Sequence, residues 1–239
     1  MAALILAIDS SSLVATVAIV SRDTVIAEYT TNLEKTHSQT LLPMIDEIFK
    51  MTGLDKKNLK AVAVTNGPGS FTGLRIGAAT AKGITLALNI PIISIPTLEA
   101  TAYNMNFTEK LICPIMDARR HQVYTGIFRC KETTLEAVMP SNAMALEDLL
   151  SELNKLGEEV VFIGDGIPVF KDEIDKELNV KHFFARQPFA RQRAACVGSL
   201  AWDYYDEGKV MDSDEFAPMY YRLSQAEREK NEKSKCQNI

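Results

Sequence analysis

Residues 4–29 read LILAIDSSSLVATVAIVSRDTVIAEY. Three apolar runs, at 4–8, 14–20 and 25–29, are separated by Asp9-Ser10-Ser11-Ser12 and by Ser21-Arg22-Asp23, and connectors this short suit antiparallel neighbours. Three strands are therefore expected at the start. Within residues 38–50 the apolar positions Leu41, Leu42, Ile45, Ile48 and Phe49 recur at helical spacing, with Ser38 placed to cap and Pro43 placed to bend the early turns. A buried-type strand at 61–65, a helix at about 72–88 and a strand at 92–95, after the Asn89-Ile90-Pro91 break, complete the order β-β-β-α-β-α-β.

After a polar stretch at 104–110 the order begins again. Strands are predicted at 111–116, 123–129 and around 135–138, followed by helical spacing over 146–156. A strand at 160–163 ends at Gly164-Asp165-Gly166, then come a short helix at 169–178, a weak strand at 180–184 and a longer helix at 190–207. Both copies set an acid where the first strand meets its hairpin, Asp9 after Ala7-Ile8 and Asp117 after Ile115-Met116. Mixed sheets flanked by helices, present twice, predict an α/β protein of two lobes facing across a cleft. This resembles the ribonuclease H-like plan of the actin, Hsp70 and sugar-kinase superfamily. The expected division is a lobe at 1–106, a second lobe at 107–223 whose last helix is free to pack back on the first, and a polar tail at 224–239 without fixed structure. In that superfamily the two strand-end acids line a nucleotide cleft, which makes Asp9 and Asp117 candidates to hold a hydrated magnesium over a nucleotide. The same residues also serve as turn formers that cap the backbone after them.

Composition narrows the function classes. With 46% hydrophobic and 24% charged residues, 239 residues suffice for a packed core without staples. A net charge of −5 makes the average surface repel phosphate, which argues against a free-standing RNA-binding module. Arg119, Arg120, Arg186, Arg191 and Arg193 are accordingly read as solvated or ion-paired before they are read as RNA contacts. Cys113, Cys130, Cys196 and Cys236 form no CxxC pair, and His37, His121 and His182 stand far apart, so no metal site is readable. His37 is read as a structural residue at a helix start, since no nucleophile is tied to it by motif. The first apolar run lacks the charge and cleavage pattern of a signal peptide, and no stretch of about 18 apolar residues is present, so a cytoplasmic protein off the membrane is expected.

The sharpest local feature is Asn66-Gly67-Pro68-Gly69-Ser70-Phe71-Thr72-Gly73-Leu74-Arg75, lying between a predicted strand and a predicted helix. Its glycines allow close backbone approach, and the helix start behind it offers unpaired N–H groups. It is neither a Walker sequence nor a dinucleotide fingerprint, and a tight turn with Ser70 or Thr72 as helix cap is the preferred reading. Phe71 has little local core to fill and reads as a partner contact. The helix behind carries small residues on two lines, Gly73, Gly77 and Ala81 on one and Ala79, Gly83 and Ala87 on the other. One line must cover the sheet and the other is open to a second helix, and the pattern does not distinguish them.

Four segments carry a resemblance to a known family: 37–46 (HSQTLLPMID), 67–77 (GPGSFTGLRIG) with 81–83 (AKG), 117–120 (DARR), and 217–222 (APMYYR). They are similar to the TsaB family, also called YeaZ, over nearly the whole chain. The resemblance implies a noncatalytic subunit of the bacterial machinery that makes threonylcarbamoyladenosine beside the tRNA anticodon. Such a subunit is expected to pair with the catalytic paralogue TsaD, to work with the ATPase TsaE, to form a homodimer when free, and to meet tRNA only through the complex. It implies no tightly bound cofactor, with ATP or ADP only at the complex interface. In the catalytic relatives a His-Leu-Glu-Gly-His segment binds the metal, whereas here it reads Thr97-Leu98-Glu99-Ala100-Thr101. Hydroxyls replace imidazoles poorly at such an ion, so neither catalytic nor metal residues are assigned. The expected partner surface comprises Leu41, Leu42, Ile45, Phe71, Leu74, Arg75, Ala78 and Lys82, with Ala78 and Lys82 taken as the partner side. The alternative is a stand-alone ATP-dependent kinase or ATPase built on the same superfamily fold.

Overall fold

β1 (Leu4–Asp9) is buried along its full length, and its side chains divide between two cores. Leu4, Leu6 and Ile8 point to one face of the sheet and Ile5 and Ala7 to the other, as the two-residue period of a strand requires. A strand apolar on both faces must be covered on both. The computed structural model describes residues 3–33, 36–132 and 134–221 and shows how this is met; the expected tail at 224–239 lies outside them. β1 pairs antiparallel with β2 (Ala15–Val20), which pairs with β3 (Val25–Thr31), while β4 (Leu59–Thr65) and β5 (Ile92–Ile95) continue the sheet in parallel. The strand order is β3-β2-β1-β4-β5. α1 (His37–Thr52) and α2 (Phe71–Leu88) cover the face of Leu4, Leu6 and Ile8.

The second lobe repeats the first. β6 (Leu111–Asp117), β7 (Gln122–Lys131), β8 (Thr134–Ala145), β9 (Val160–Ile163) and β10 (His182–Phe184) form a sheet of order β10-β9-β6-β7-β8, the same topology read from the other edge. α4 (Leu146–Leu156) and α5 (Ile167–Glu177) cover one face. β8 runs for twelve residues, far past the four expected, because it is an edge strand: its outer side tolerates Pro140 and a polar pattern that lacks strand alternation.

The remaining faces are closed by exchange. α3 (Thr97–Tyr103), for which no helix was expected, follows β5 yet packs Leu98 and Ala102 on Ile112, Met116 and Phe128 of the second sheet, while Ala100 stays with the first. α6 (Ala194–Asp206) returns from the second lobe to lay Val197, Leu200, Ala201 and Trp202 on the first sheet. Gly198 permits this, because a Cβ there would strike Val20 and meet Ala7. The start of α6 carries no side-chain cap of its own, and first-lobe residues supply it. Thr16 Oγ1 accepts from Ala194 N at 3.2 Å and Glu28 Oε1 from Ala195 N at 2.8 Å, satisfying two of the orphan helix donors. Glu28 Oε2 also binds the Arg193 guanidinium at 2.6 Å. Residues 190–193, expected as helix, are the crossing segment, since Arg193 is extended. The two lobes are thus α/β units of the ribonuclease H type, tied by two exchanged helices.

Candidate functional site

Two regions bring the expected site residues together. The first is a cleft of about 790 Å³ between the lobes, lined by the turn after β1, the glycine loop, the end of β6, the Asp165 turn and residues 219–221. Its first-lobe wall is built by close backbone approach. Ser70 N donates to Ser11 O at 2.6 Å, Ser10 Oγ donates to Gly73 O at 2.9 Å, and His37 Nε2 lies 2.7 Å from Ser12 O. Gly69 and Gly73 are required there, because a Cβ on either would collide with the carbonyl of Ser11 or Ser10. Ser70 caps α2, its hydroxyl accepting from Gly73 N at 3.2 Å, so of the two expected caps Ser70 is used.

Asp117 lines the cleft and accepts from Arg119 N at 2.7 Å. Asp9 does not line it. The residue is 1% exposed, beneath the turn, where Oδ1 accepts from Ser11 N (2.8 Å), Ser11 Oγ (2.6 Å) and Thr65 Oγ1 (3.1 Å). Burial raises its pKa above the carboxylate norm, against these hydrogen bonds, and Oδ2 has no hydrogen-bond partner among the described residues. Asp165, missed as a cleft residue, sits in the turn after β9, and burial pushes it up to about 6. Arg191 opposes that shift, and the charges of Asp9 and Asp117 add to it. Its place between two glycines at a strand end was the available signal.

These residues offer no direct three-ligand site for the magnesium of the nucleotide that the superfamily suggests. The three serine hydroxyls of the turn and the Ser11 amide are engaged internally, Ser11 on Asp9, Ser10 on Gly73 and Ser12 Oγ on Gln192 Oε1 at 3.0 Å. Asp9 and Asp117 are near enough to Asp165 for their charges to act on it, but the oxygens of the three form no cluster within direct ligand distance. Among the described residues the one group of three side chains with ligand atoms within 4.8 Å is His121, Glu147 and Glu173, none of which lines the cleft. Thr97 and Thr101 are sealed in the fold: Thr97 Oγ1 accepts from Gly67 N at 3.1 Å and Thr101 Oγ1 donates to Thr97 O at 2.8 Å.

The second region is the outer surface of α1 and α2. Here the expected partner set divides. Leu41, Ile45 and Ala78 are buried in the chain's own core under the first sheet, and Leu74 is buried beside Gly67 at the wall of the cleft, a correction to the reading that set all four facing outward. Gly77 and Ala81 share that inward side, and a Cβ on Gly77 would meet Ser10 Oγ at 2.5 Å. Leu42, Arg75 and, in part, Phe71 and Lys82 are accessible. The outward line of α2 is Ala79, Gly83 and Ala87, and nothing lies within 4 Å of a Cβ built on Gly83. Leu42 (56% exposed) and Leu86 (64%) stand on this surface, and an apolar hollow of about 270 Å³ opens among Leu42, Ile45, Phe49 and Ile84. Leu86 was absent from the expected set, because in the sequence it is one more apolar residue of a helix. Among the described residues no helix is long and apolar enough to cross a membrane.

A family model described as TsaD, tRNA N6-adenosine threonylcarbamoyltransferase, matches residues 24–230. The chain is 36% identical over 223 residues to the tRNA threonylcarbamoyladenosine biosynthesis protein TsaB of Bacillus subtilis strain 168, covering 93% of this chain and 96% of that one. It is 29% identical to the TsaB protein of Escherichia coli K12 over 91% of its own length and 94% of the relative's. Its fold matches the crystal structure of an uncharacterized Pseudomonas aeruginosa protein with similarity to peptidase YEAZ, with a TM-score of 0.80 at 21% identity, covering 92% of this chain and all of that one. Sequence likeness over almost the full chain and the doubled two-lobe fold agree: the chain belongs to the TsaB (YeaZ) family.

Proposed function

We propose that the chain takes part in tRNA threonylcarbamoyladenosine biosynthesis in the cytoplasm as a noncatalytic partner subunit. In this reading it dimerises with its catalytic paralogue TsaD, works with the ATPase TsaE, meets tRNA only through the complex, and brings no cofactor of its own. The observation that carries the reading is the outer face of α1 and α2. Small side chains at Ala79, Gly83 and Ala87 let another helix approach closely, while Leu42 and Leu86 stand exposed on the same surface. A paralogue built on the same plan presents the equivalent pair of helices, and a second copy of this chain takes that place in a twofold homodimer when the paralogue is absent. Homodimer and heterodimer then exclude each other.

The threonines at 97 and 101 support the noncatalytic role, because the Thr97 hydroxyl ties the glycine loop to α3, the Thr101 hydroxyl bonds back to its own helix, and both residues are buried. The engaged turn at 10–12 speaks against the stand-alone kinase or ATPase. The experiment is a pull-down of the paralogous subunit together with sedimentation of the free chain, using Leu86→Asp and Ala79→Trp. Both variants are expected to fold, as judged by circular dichroism, and to lose both associations. A folded variant that retains both would move the interface elsewhere, and enzyme-like ATP hydrolysis by the isolated chain, abolished by Asp117→Asn, would restore the kinase reading.

A further inference from the structure

The APMYYR motif near the end of the chain is taken up neither by the core nor by the docking face. The segment before it is anchored on the first lobe: Met211 bridges the edge strand β5 through two backbone hydrogen bonds with Ile92, of 2.9 and 3.0 Å, and Phe216 is buried against the first sheet. Beyond Phe216 the chain is held differently. Met219 N donates to Asn66 O at 2.7 Å, and the Met219 carbonyl lies where a side chain on Gly67 would be. That glycine has φ +122°, so the loop is shaped in two ways to receive this strand of backbone. Tyr220 packs on Phe71 with ring centroids 4.6 Å apart, and its hydroxyl accepts from Arg75 Nε at 3.1 Å. Arg75 in turn lies over the Phe71 ring at 3.8 Å. One residue on, Tyr221 meets Tyr124 of β7 edge to face at 6.4 Å, which is a contact with the other lobe.

The lobes are joined covalently by the crossings into β6 and into α6, and these two touch, Asn104 Nδ2 donating to Arg191 O at 2.9 Å. Residues 217–221 are a third tie, resting on aromatic contacts and a few hydrogen bonds, with Met219, Tyr220 and Tyr221 at the wall of the cleft and Tyr220 41% exposed. We propose that residues 217–221 are a releasable latch, hinged on the buried Phe216, that holds the two lobes closed over the interlobe cleft, with Tyr220 seated on Phe71 and Arg75 as its catch and Tyr221 on Tyr124 as its reach to the second lobe. A tie of two aromatic pairs, one cation–π contact (Arg75 over the Tyr220 ring, 5.8 Å) and two hydrogen bonds opens without unfolding either sheet, since each sheet keeps its own core. It also explains why an aromatic sits among the glycines of the loop: Phe71 is the seat of Tyr220.

The test is amide hydrogen exchange on the full chain, comparing the native protein with Tyr220→Ala and Tyr220→Phe. For Tyr220→Ala, exchange is expected to quicken about tenfold, equivalent to about 1.4 kcal/mol, in the glycine loop at 66–73 and in the second-lobe turn at 117–125, with β1 and β4 unchanged. Tyr220→Phe keeps the ring and loses only the bond from Arg75, and a smaller acceleration at the same two places is expected. Acceleration confined to 217–221 and 66–73 overturns the proposal, because an ordinary surface contact would not loosen the other lobe. If Tyr220→Ala quickens exchange everywhere, Tyr220→Phe decides: local acceleration on both lobes supports the latch and no change at 117–125 overturns it.

Discussion

Two glycines ten residues apart on α2 make opposite demands on a methyl group. Gly73 faces inward, where a Cβ would collide with the carbonyl oxygen of Ser10 and come within 3.2 Å of His37 Cδ2, and Gly83 faces outward with nothing within 4 Å. In a helix, alanine is favoured over glycine by about 0.8–1.0 kcal/mol, and Gly83→Ala collects that difference unopposed. Gly73→Ala receives the same gain but must displace a backbone oxygen of the β1–β2 turn. That turn is pinned by Ser70 N on Ser11 O and His37 on Ser12 O, so it does not yield cheaply. Overpacking of this kind costs about 1–3 kcal/mol and more where the obstacle is backbone, so the net expected loss is about 1–3 kcal/mol. For a chain of this size about 2–4 °C of Tm accompanies each kcal/mol, so Gly83→Ala should melt about 2–4 °C above the native protein and Gly73→Ala about 2–12 °C below it. Thermal and urea denaturation at low micromolar concentration, with circular dichroism as the probe, measure both. Equal shifts of the two variants, or a destabilised Gly83→Ala in the monomer, would refute the assignment of inner and outer faces.

Asp165 holds its proton up to about pH 6 in the folded chain. In the unfolded chain it releases it near pH 4, about 3.9. Between these values the folded state binds more protons, so this residue makes stability fall as pH rises from about 4 to 6 and adds no further slope above. Asp165→Asn should remove that decline and raise stability at pH 7–8 by at most about 3 kcal/mol, read from urea midpoints across pH. Reinstating the metal motif with Thr97→His and Thr101→His should destabilise the fold by about 2–4 kcal/mol and bring no stoichiometric zinc by elemental analysis, because both positions are sealed and hydrogen-bonded. Gly198→Leu should lower Tm sharply or prevent folding by lifting α6 off Val20 and Ala7, whereas Lys176→Ala, on the outside of α5, should leave both Tm and association unchanged.

The doubled order of strands and helices, the chain's place in its family and a cap at Ser70 or Thr72 were legible along the sequence, and the structure chose Ser70. Each of these rests on local information: a period of two or of 3.6, a short polar connector, or a run of particular residues. α3 was not legible because seven residues carry barely two turns of pattern, and β8 was not because an edge strand is wetted on one side and interrupted by Pro140. Tertiary structure alone decided which lobe each third helix covers. α6 belongs by sequence to the second copy, and it crosses to the first because Gly198, Thr16 and Glu28 meet there, residues far apart along the chain. It also decided the two faces of α2, since Gly73, Gly77 and Ala81 on one line and Ala79, Gly83 and Ala87 on the other are all small residues at the same helical spacing. Small side chains permit close approach equally from either side. What approaches is set by where the β1–β2 turn and the sheet lie once the chain is folded, and only the line turned away from them is left for another molecule.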